Sequence, residues 1–421
     1  KSVGLGCVVF FFLKKKANRQ HSGNNYKNEK FSGFHTNYYW YNYTNIGILI
    51  IKTFNFVQKQ SQMKHISIIF ILTTILLMPS CKPGDNYIAI SGYAQGGTYT
   101  VKLNLSGKNG RIKEKPYTIK KNIDSILTII DTTLSGYNKG SQLSRFNNHD
   151  TIVPNAMFKD IYSISYQIWQ ETKGAVDIAA GPLYDLWGFG FTKDSIPSED
   201  RIAIIIQSCG MKKLKPTIEE ALSPDSSLNP LNLLKPVCKP QEDIPAPPVL
   251  NFNAIAQGYS CDVIAKYLYS IGVKDMLVDI GEIYCDGLNP SGKAWNIAVD
   301  NPIDGNDTPG KDIKGTIRSI PNYCGIVTSG NYRKFHIKDG KKYAHTIDPR
   351  TGYPVSHNLL SATILARNAT IADAYATYCM VIGVEKSINF IENNTEIEGY
   401  LIYDENGSAK TWSSQGLILN R

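Results

Sequence analysis

The sequence predicts an α+β fold in which mixed sheets pack against helices, as one large domain or two intimately joined lobes. Three observations carry the prediction. Long segments with apolar residues at 3-to-4 spacing occur in both halves of the chain, and short strand-like runs cluster after residue 275. Between them a stretch from 222 to 249, with prolines at 224, 230, 236, 240, 245, 247 and 248, breaks all periodicity and reads as an extended surface connection.

Taken in order, 118–134 is a helix with Ile119, Ile123, Ile126, Leu127, Ile130 and Leu134 on its apolar face, and 158–172 is a second, built on Ile161, Ile164, Ser165, Ile168 and Trp169. A third, 254–271, carries Ile255, Tyr259, Val263, Ile264, Tyr267, Leu268 and Ile271, with Asn253 as the expected N-cap. Strands are expected at 276–280, 295–299, 325–328 and 361–365. The last clear helix begins near Ala369, places Ile371, Tyr375, Tyr378 and Ile382 on a buried stripe, and stops at Gly383. No internal repeat or sustained heptad is present.

The amino-terminal part is of another kind. Residues 1–62 lack alternation, are rich in Asn and Tyr, and hold nine Lys or Arg against the single acid Glu29; they read as a non-native or disordered upstream segment. From Met63 the pattern is a secretory signal: Lys64, the apolar run 66–78, then Pro79-Ser80-Cys81. Roughly 13 apolar residues fall short of the roughly 20 that span a bilayer. The Leu77-Met-Pro-Ser-Cys81 ending resembles a bacterial lipoprotein signal, which implies cleavage before Cys81 and its acylation; a cleaved signal without lipid is the alternative. The formal charge of +9 resides in residues 1–64, and 81–421 is neutral overall, so the basicity is no argument for nucleic acid. Eight cysteines with no C-x-x-C pair and no His at zinc spacing give no metal framework, and most suit small buried side chains.

Several segments carry chemistry. Asp373 and Thr377 stand one helical turn apart, so their oxygens point together as two hard donors for Mg²⁺ or Ca²⁺; a solvated Asp-Thr pair is the plain alternative. Asn251-Phe-Asn253-Ala-Ile-Ala-Gln257-Gly258 opens the third helix, where free N–H groups and the helix dipole favour an anion and Gly258 permits close approach. Thr328-Ser329-Gly330-Asn331-Tyr332 leaves a strand, and a turn there with Gly330 at positive φ would bare N–H groups for phosphate or simply close a hairpin. His345-Thr-Ile-Asp348-Pro-Arg-Thr351-Gly352 offers a titratable group beside a rigid turn, or a surface His beside an ordinary one. The segment from Gly174 through Asp177 and Trp187 to Gly190 joins a carboxylate to aromatics that suit a stacked ring or a core. The segment from Gly140 to Asn147 offers hydrogen bonds to a base or a turn cap.

In this order, from Gly97-Thr98-Tyr99 to Ala372-Asp373-Ala374 and Thr377, the segments resemble the ApbE family of FAD:protein FMN transferases over nearly all of 81–421. The resemblance implies an α+β fold related to the T-fold. It also implies Mg²⁺ held by Asp373, Thr377 and the Ala254 carbonyl, and FAD bound near Asn147, Asp177, Gln257, Ser329, Gly330 and His345. His345 and Asp373 would serve catalysis, FMN would pass to a Thr or Ser hydroxyl of an acceptor flavoprotein, and AMP would leave. It places the protein in the bacterial cell envelope, anchored to the membrane through Cys81 and facing the periplasm. The chain departs from the family pattern at Gln257, where Lys is usual, and at Asp279-Ile-Gly281-Glu282, which is one Gly short; loss of a residue there would shift strand register. FAD hydrolysis to FMN and AMP, and FAD binding without turnover, are the rival readings.

Overall fold

A computed structural model of the protein describes residues 86–190, 197–214, 249–306, 308–332, 335–338 and 341–420. The expected segments 1–62 and 63–80, Cys81, and 222–248 of the Pro-rich connection lie outside these residues.

The described residues form one compact unit around an eight-stranded sheet in which every neighbouring pair is antiparallel. Strands β1 (Tyr87–Ala94) and β2 (Gly97–Asn104) form a hairpin closed by Gln95 and Gly96, both at positive φ, which matches the twist of the paired strands. Strands β3 (Met276–Asp279) and β4 (Ile283–Asp286) form a second hairpin. Its ladder runs unbroken from Met276 opposite Asp286 to Asp279 opposite Ile283, so the shortened Gly281 turn leaves the register intact; Gly281 accommodates it at φ +89°.

Strands β5 (Asn296–Asp300) and β6 (Ile313–Arg318) belong to a separate small sheet completed near the carboxyl end by Leu419–Asn420. The main sheet continues with β7 (Gly325–Gly330), after which β8 (Phe335–Lys338) and β9 (Lys341–Ala344) form a two-stranded hairpin of their own. Residues Ile347–Asp348 and Tyr353–Pro354 pair as β10 and β11. Strands β12 (Leu359–Ala366), β13 (Ile397–Glu405) and β14 (Ser408–Ser413) complete the main sheet in the order β1-β2-β3-β4-β7-β12-β13-β14.

Each face of the sheet has its own cover. One packs on α1 (Pro116–Leu134), α3 (Ala156–Glu171), α6 (Ala256–Ser270) and α7 (Ala369–Ile382). The other packs on the small sheet through Trp295, Ile297, Val299 and Ile317. Helix α1 buries Ile119, Ile123, Leu127 and Ile130 as the spacing predicts, each worth about 2 kcal/mol of transfer free energy. Between α1 and α3 lies the short α2 (Gln142–Asn147); α4 (Gly181–Leu186) and α5 (Glu199–Ser208) form a satellite cluster with Trp187 and Ile347.

Helix α7 differs from its expected pattern. Ile371, Tyr378 and Ile382 are only half-buried, whereas Ala369, Ala372, Ala374, Ala376 and Cys379 are fully enclosed, because small side chains let α7 lie directly on β7, β12 and α6. At Gly325 of β7 an added Cβ would stand 2.3 Å from the Asn368 carbonyl oxygen, so the close approach requires glycine. The five described cysteines, Cys209, Cys261, Cys285, Cys324 and Cys379, are free thiols. Among the described residues no helix is long and apolar enough to cross a membrane.

Candidate functional site

Helix α7 starts where Asn368, extended at φ −137° and ψ 162°, accepts the Ile371 N–H, and it stops at Gly383, whose φ is +79°. One turn in, Asp373 is 5% exposed and its Oδ2 accepts the Gly258 N–H at 3.1 Å. Gly258 lies in the first turn of α6, and a Cβ there would meet the Ala369 carbonyl oxygen at 2.3 Å and the Asp373 Cβ at 2.9 Å, so the two helices touch backbone to backbone.

The start of α6 differs from the expected Asn253 cap. Ile255 is the N-cap residue and makes no side-chain cap bond, while exposed Asn253 gives its own N–H to Asn251 Oδ1 at 2.9 Å. Asp373, reaching in from α7, caps the turn instead. The first backbone bond of α6 runs from Tyr259 N–H to the Ile255 carbonyl at 2.9 Å. Because the preceding N–H, that of Gly258, is committed to Asp373, the Ala254 carbonyl receives no backbone hydrogen bond among the described residues. A carboxyl and a carbonyl without a backbone donor among the described residues thus belong to one helix start.

Burial is the main cause that pushes the Asp373 carboxyl up to about 8; the Gly258 bond pulls the other way, and the negative charge of Asp262 adds to the rise. Thr377, half-buried one turn further along α7, holds its Oγ1 3.5 Å from Ser329 Oγ. Ser329 and Gly330 remain in β7, paired with Ala362 and Ser361, and Gly330 is not at positive φ, so the expected baring turn is absent at this glycine. Gly330 is required for a different reason: a Cβ there would meet the Tyr332 ring at 2.6 Å.

His345 follows β9 and is half-buried, edge-on to Phe189 at 6.3 Å between ring centroids, while the same Phe189 stacks on His336 at 4.3 Å. The turn after His345 is fixed by Arg350, whose guanidinium donates twice to Asp348 at 2.8 Å, and by Trp187 Nε1 donating to the Gly352 carbonyl at 2.8 Å. Thr346 donates to Asn331 Oδ1 at 2.6 Å, which ties the His345 segment to the residue after Gly330. Asp373, Thr377, Ser329 and Gly258 are thus linked through α7 by direct contacts, and the Thr346–Asn331 bond joins the His345 segment to the chain leaving β7.

Gln257 turns its amide to the Ile280 carbonyl at 3.3 Å, against the Gly281 turn. Asn147 and Asp177 are engaged elsewhere. Asn147 clasps the Leu250 backbone at both amide ends, at 2.9 and 2.8 Å, on the border of a cleft of about 400 Å³ also lined by Arg145, Asp185 and Val249. Asp177 caps the short turn Ile178–Ala180 through the Ala179 N–H at 2.8 Å and binds the Met211 N–H with both oxygens at 3.1 and 3.0 Å. Three contributors escaped the sequence reading. Asn368 carries a legible signal, an N-cap residue just before a periodic run, whereas Asp262 and the Phe189–His336 stack arise from contacts distant in sequence.

The fold and these oxygens define an α+β protein with a hard-donor site between two mutually capped helices. The ApbE family profile matches residues 96–401, and the chain belongs to the ApbE family. Over 358 residues it is 30% identical to the FAD:protein FMN transferase of Haemophilus influenzae, covering 83% of this chain and 96% of that protein. It is 33% identical to the Escherichia coli K12 protein of the same name, over 70% of this chain and 80% of that one. The structure of flavin transferase ApbE from Vibrio cholerae superposes with a TM-score of 0.61 at 29% identity, over 78% of this chain and 97% of that one.

Proposed function

We propose that this protein transfers the FMN part of FAD to a Thr or Ser hydroxyl of an acceptor protein in an Mg²⁺-dependent reaction. The observation that carries the cation part is the buried Asp373 carboxyl taking the Gly258 N–H at the helix start where the Ala254 carbonyl receives no backbone hydrogen bond among the described residues, with the Thr377 hydroxyl one turn along α7. One carboxylate with neutral oxygens suits a hard cation, and among the described residues no cluster of three or more His, Cys, Asp or Glu forms a softer alternative. When bound there, Mg²⁺ neutralises pyrophosphate charge and so favours departure of AMP.

The remaining work falls to the chain. The Ser329 hydroxyl, close to Thr377 at the Gly330 end of β7, orients the phosphates, and His345, steadied by Phe189 and the Thr346–Asn331 bond, accepts the acceptor hydroxyl's proton as its oxygen attacks the phosphorus bearing riboflavin. The bond to AMP breaks, and FMN ends in phosphodiester linkage to the acceptor. Asn147, which lines a cleft with Val249 and holds the Leu250 backbone, and Asp177, which holds the Met211 N–H, assist nucleotide binding by fixing these segments. The lipoprotein-like Leu77-Met-Pro-Ser-Cys81 supports a place in the envelope, with Cys81 anchored and the enzyme facing the periplasm; palmitate labelling lost in Cys81→Ala tests it.

Incubation with FAD, Mg²⁺ and an acceptor domain is expected to give covalent flavin fluorescence in a denaturing gel together with AMP. AMP without modified acceptor would make the protein a hydrolase. Tight FAD binding with neither product would make it a carrier.

A further inference from the structure

The contact between α6 and α7 is reciprocal. Gly258 and Asp262 lie one turn apart on α6, as Ala369 and Asp373 do on α7. Asp373 accepts the Gly258 N–H at 3.1 Å, and Asp262 accepts the Ala369 N–H at 2.8 Å, the Thr370 N–H at 2.9 Å and the Thr370 hydroxyl. With Asn368 taking the Ile371 N–H at 2.8 Å, the three leading donors of α7 are all satisfied. The far end of α7 is also held, since His357 Nε2 lies 2.8 Å from the Met380 carbonyl, with the ring nitrogen donating.

We infer that Asp262 is a positioning residue for the cation site: its clasp on the first turn of α7 sets the axial and rotational position of Asp373 and Thr377 relative to the Ala254 carbonyl. Both Asp262 oxygens are already taken by α7 donors, so it acts on the site through the helix rather than as a ligand. Octahedral Mg²⁺ tolerates little displacement of its oxygens from about 2.1 Å, so a slip of α7 by a fraction of a turn removes the carboxylate from the carbonyl opposite it. The Gly258–Ala369 contact blocks closer approach but does not prevent sliding; hydrogen bonds aimed along the helix axis do.

The inference rests on the cation reading, and the test separates the two. Mn²⁺ is titrated into the full chain and followed by electron paramagnetic resonance, for the wild type, Asp373→Ala, Asp262→Ala, Asp262→Asn and Thr370→Val. Asp262→Ala is expected to raise the Mn²⁺ dissociation constant about tenfold, with Asp262→Asn intermediate because one acceptor oxygen survives. A lower melting temperature with unchanged Mn²⁺ affinity in both Asp262 variants would overturn the inference and leave Asp262 a plain helix cap. If neither folds, Thr370→Val, which removes only the hydroxyl bond, must still weaken Mn²⁺ binding by about twofold, and equality with wild type overturns it. Equal Mn²⁺ binding by wild type and Asp373→Ala would instead overturn the cation reading, and the inference with it.

Discussion

Asp177 and Asp373 are both carboxylates that burial pushes upward, to about 6 and about 8 respectively, yet their surroundings differ in one decisive way. Asp177 is surrounded by donors: the Ala179 N–H, the Met211 N–H on both oxygens, and a Trp169 side-chain bond. Among the described residues Asp373 accepts the Gly258 N–H alone, and at the same helix start the Ala254 carbonyl receives no backbone hydrogen bond. A buried acid with its acceptors filled is a clamp, whereas one left underfilled next to another free oxygen has capacity for a cation. Chemical type does not separate the two residues; the donor count does.

Three experiments would break or sharpen that contrast. Asp373→Ala has the largest expected effect, a fall in transfer of about 10³-fold at saturating FAD and low Mg²⁺, measured by fluorescent acceptor in a denaturing gel. Unchanged transfer would end its assignment as a ligand. Asp177→Asn is expected to cost about 1–3 kcal/mol of unfolding free energy in urea and to leave the Mg²⁺ half-saturation unchanged; a shifted half-saturation would erase the distinction between clamp and site.

The smallest effect concerns pH. The folded Asp373 carboxyl titrates near 8, far above its ordinary 3.8, so its contribution to metal-free stability is fully present below the ordinary value and is lost as pH rises through about 8. Because Mg²⁺ favours the ionised form, the rise in melting temperature produced by Mg²⁺ should grow between about pH 6.5 and 8.5. A pH-independent rise would place the cation elsewhere.

Much of the fold was legible because it follows periodicity. The face of α1 matches its buried residues, and 276–280 and 361–365 fall on β3 and β12. The eight-residue spans of β1 and β2 were missed, since Gly and Thr dilute their alternation, and they are recognisable chiefly by the Gln95-Gly96 turn. Within the site, the shared face of Asp373 and Thr377 is a property of any helix, so the sequence carried it. The wrong cap at Asn253 shows the limit: an Asn two residues early looks the same as a cap until Asp373, 115 residues beyond Gly258, supplies the bond. The Asp262 clasp on Ala369 likewise spans 107 residues, a pairing that no local pattern encodes.

The same separation has a consequence for biosynthesis. Ala254 and Gly258 are made well before α7, so a growing or truncated chain that ends ahead of residue 369 carries a carbonyl with no carboxylate opposite it, and β7 with its glycine edge uncovered. The proposed cation site is therefore complete only once the carboxyl-terminal segment has docked, which ties its assembly to completion of the polypeptide.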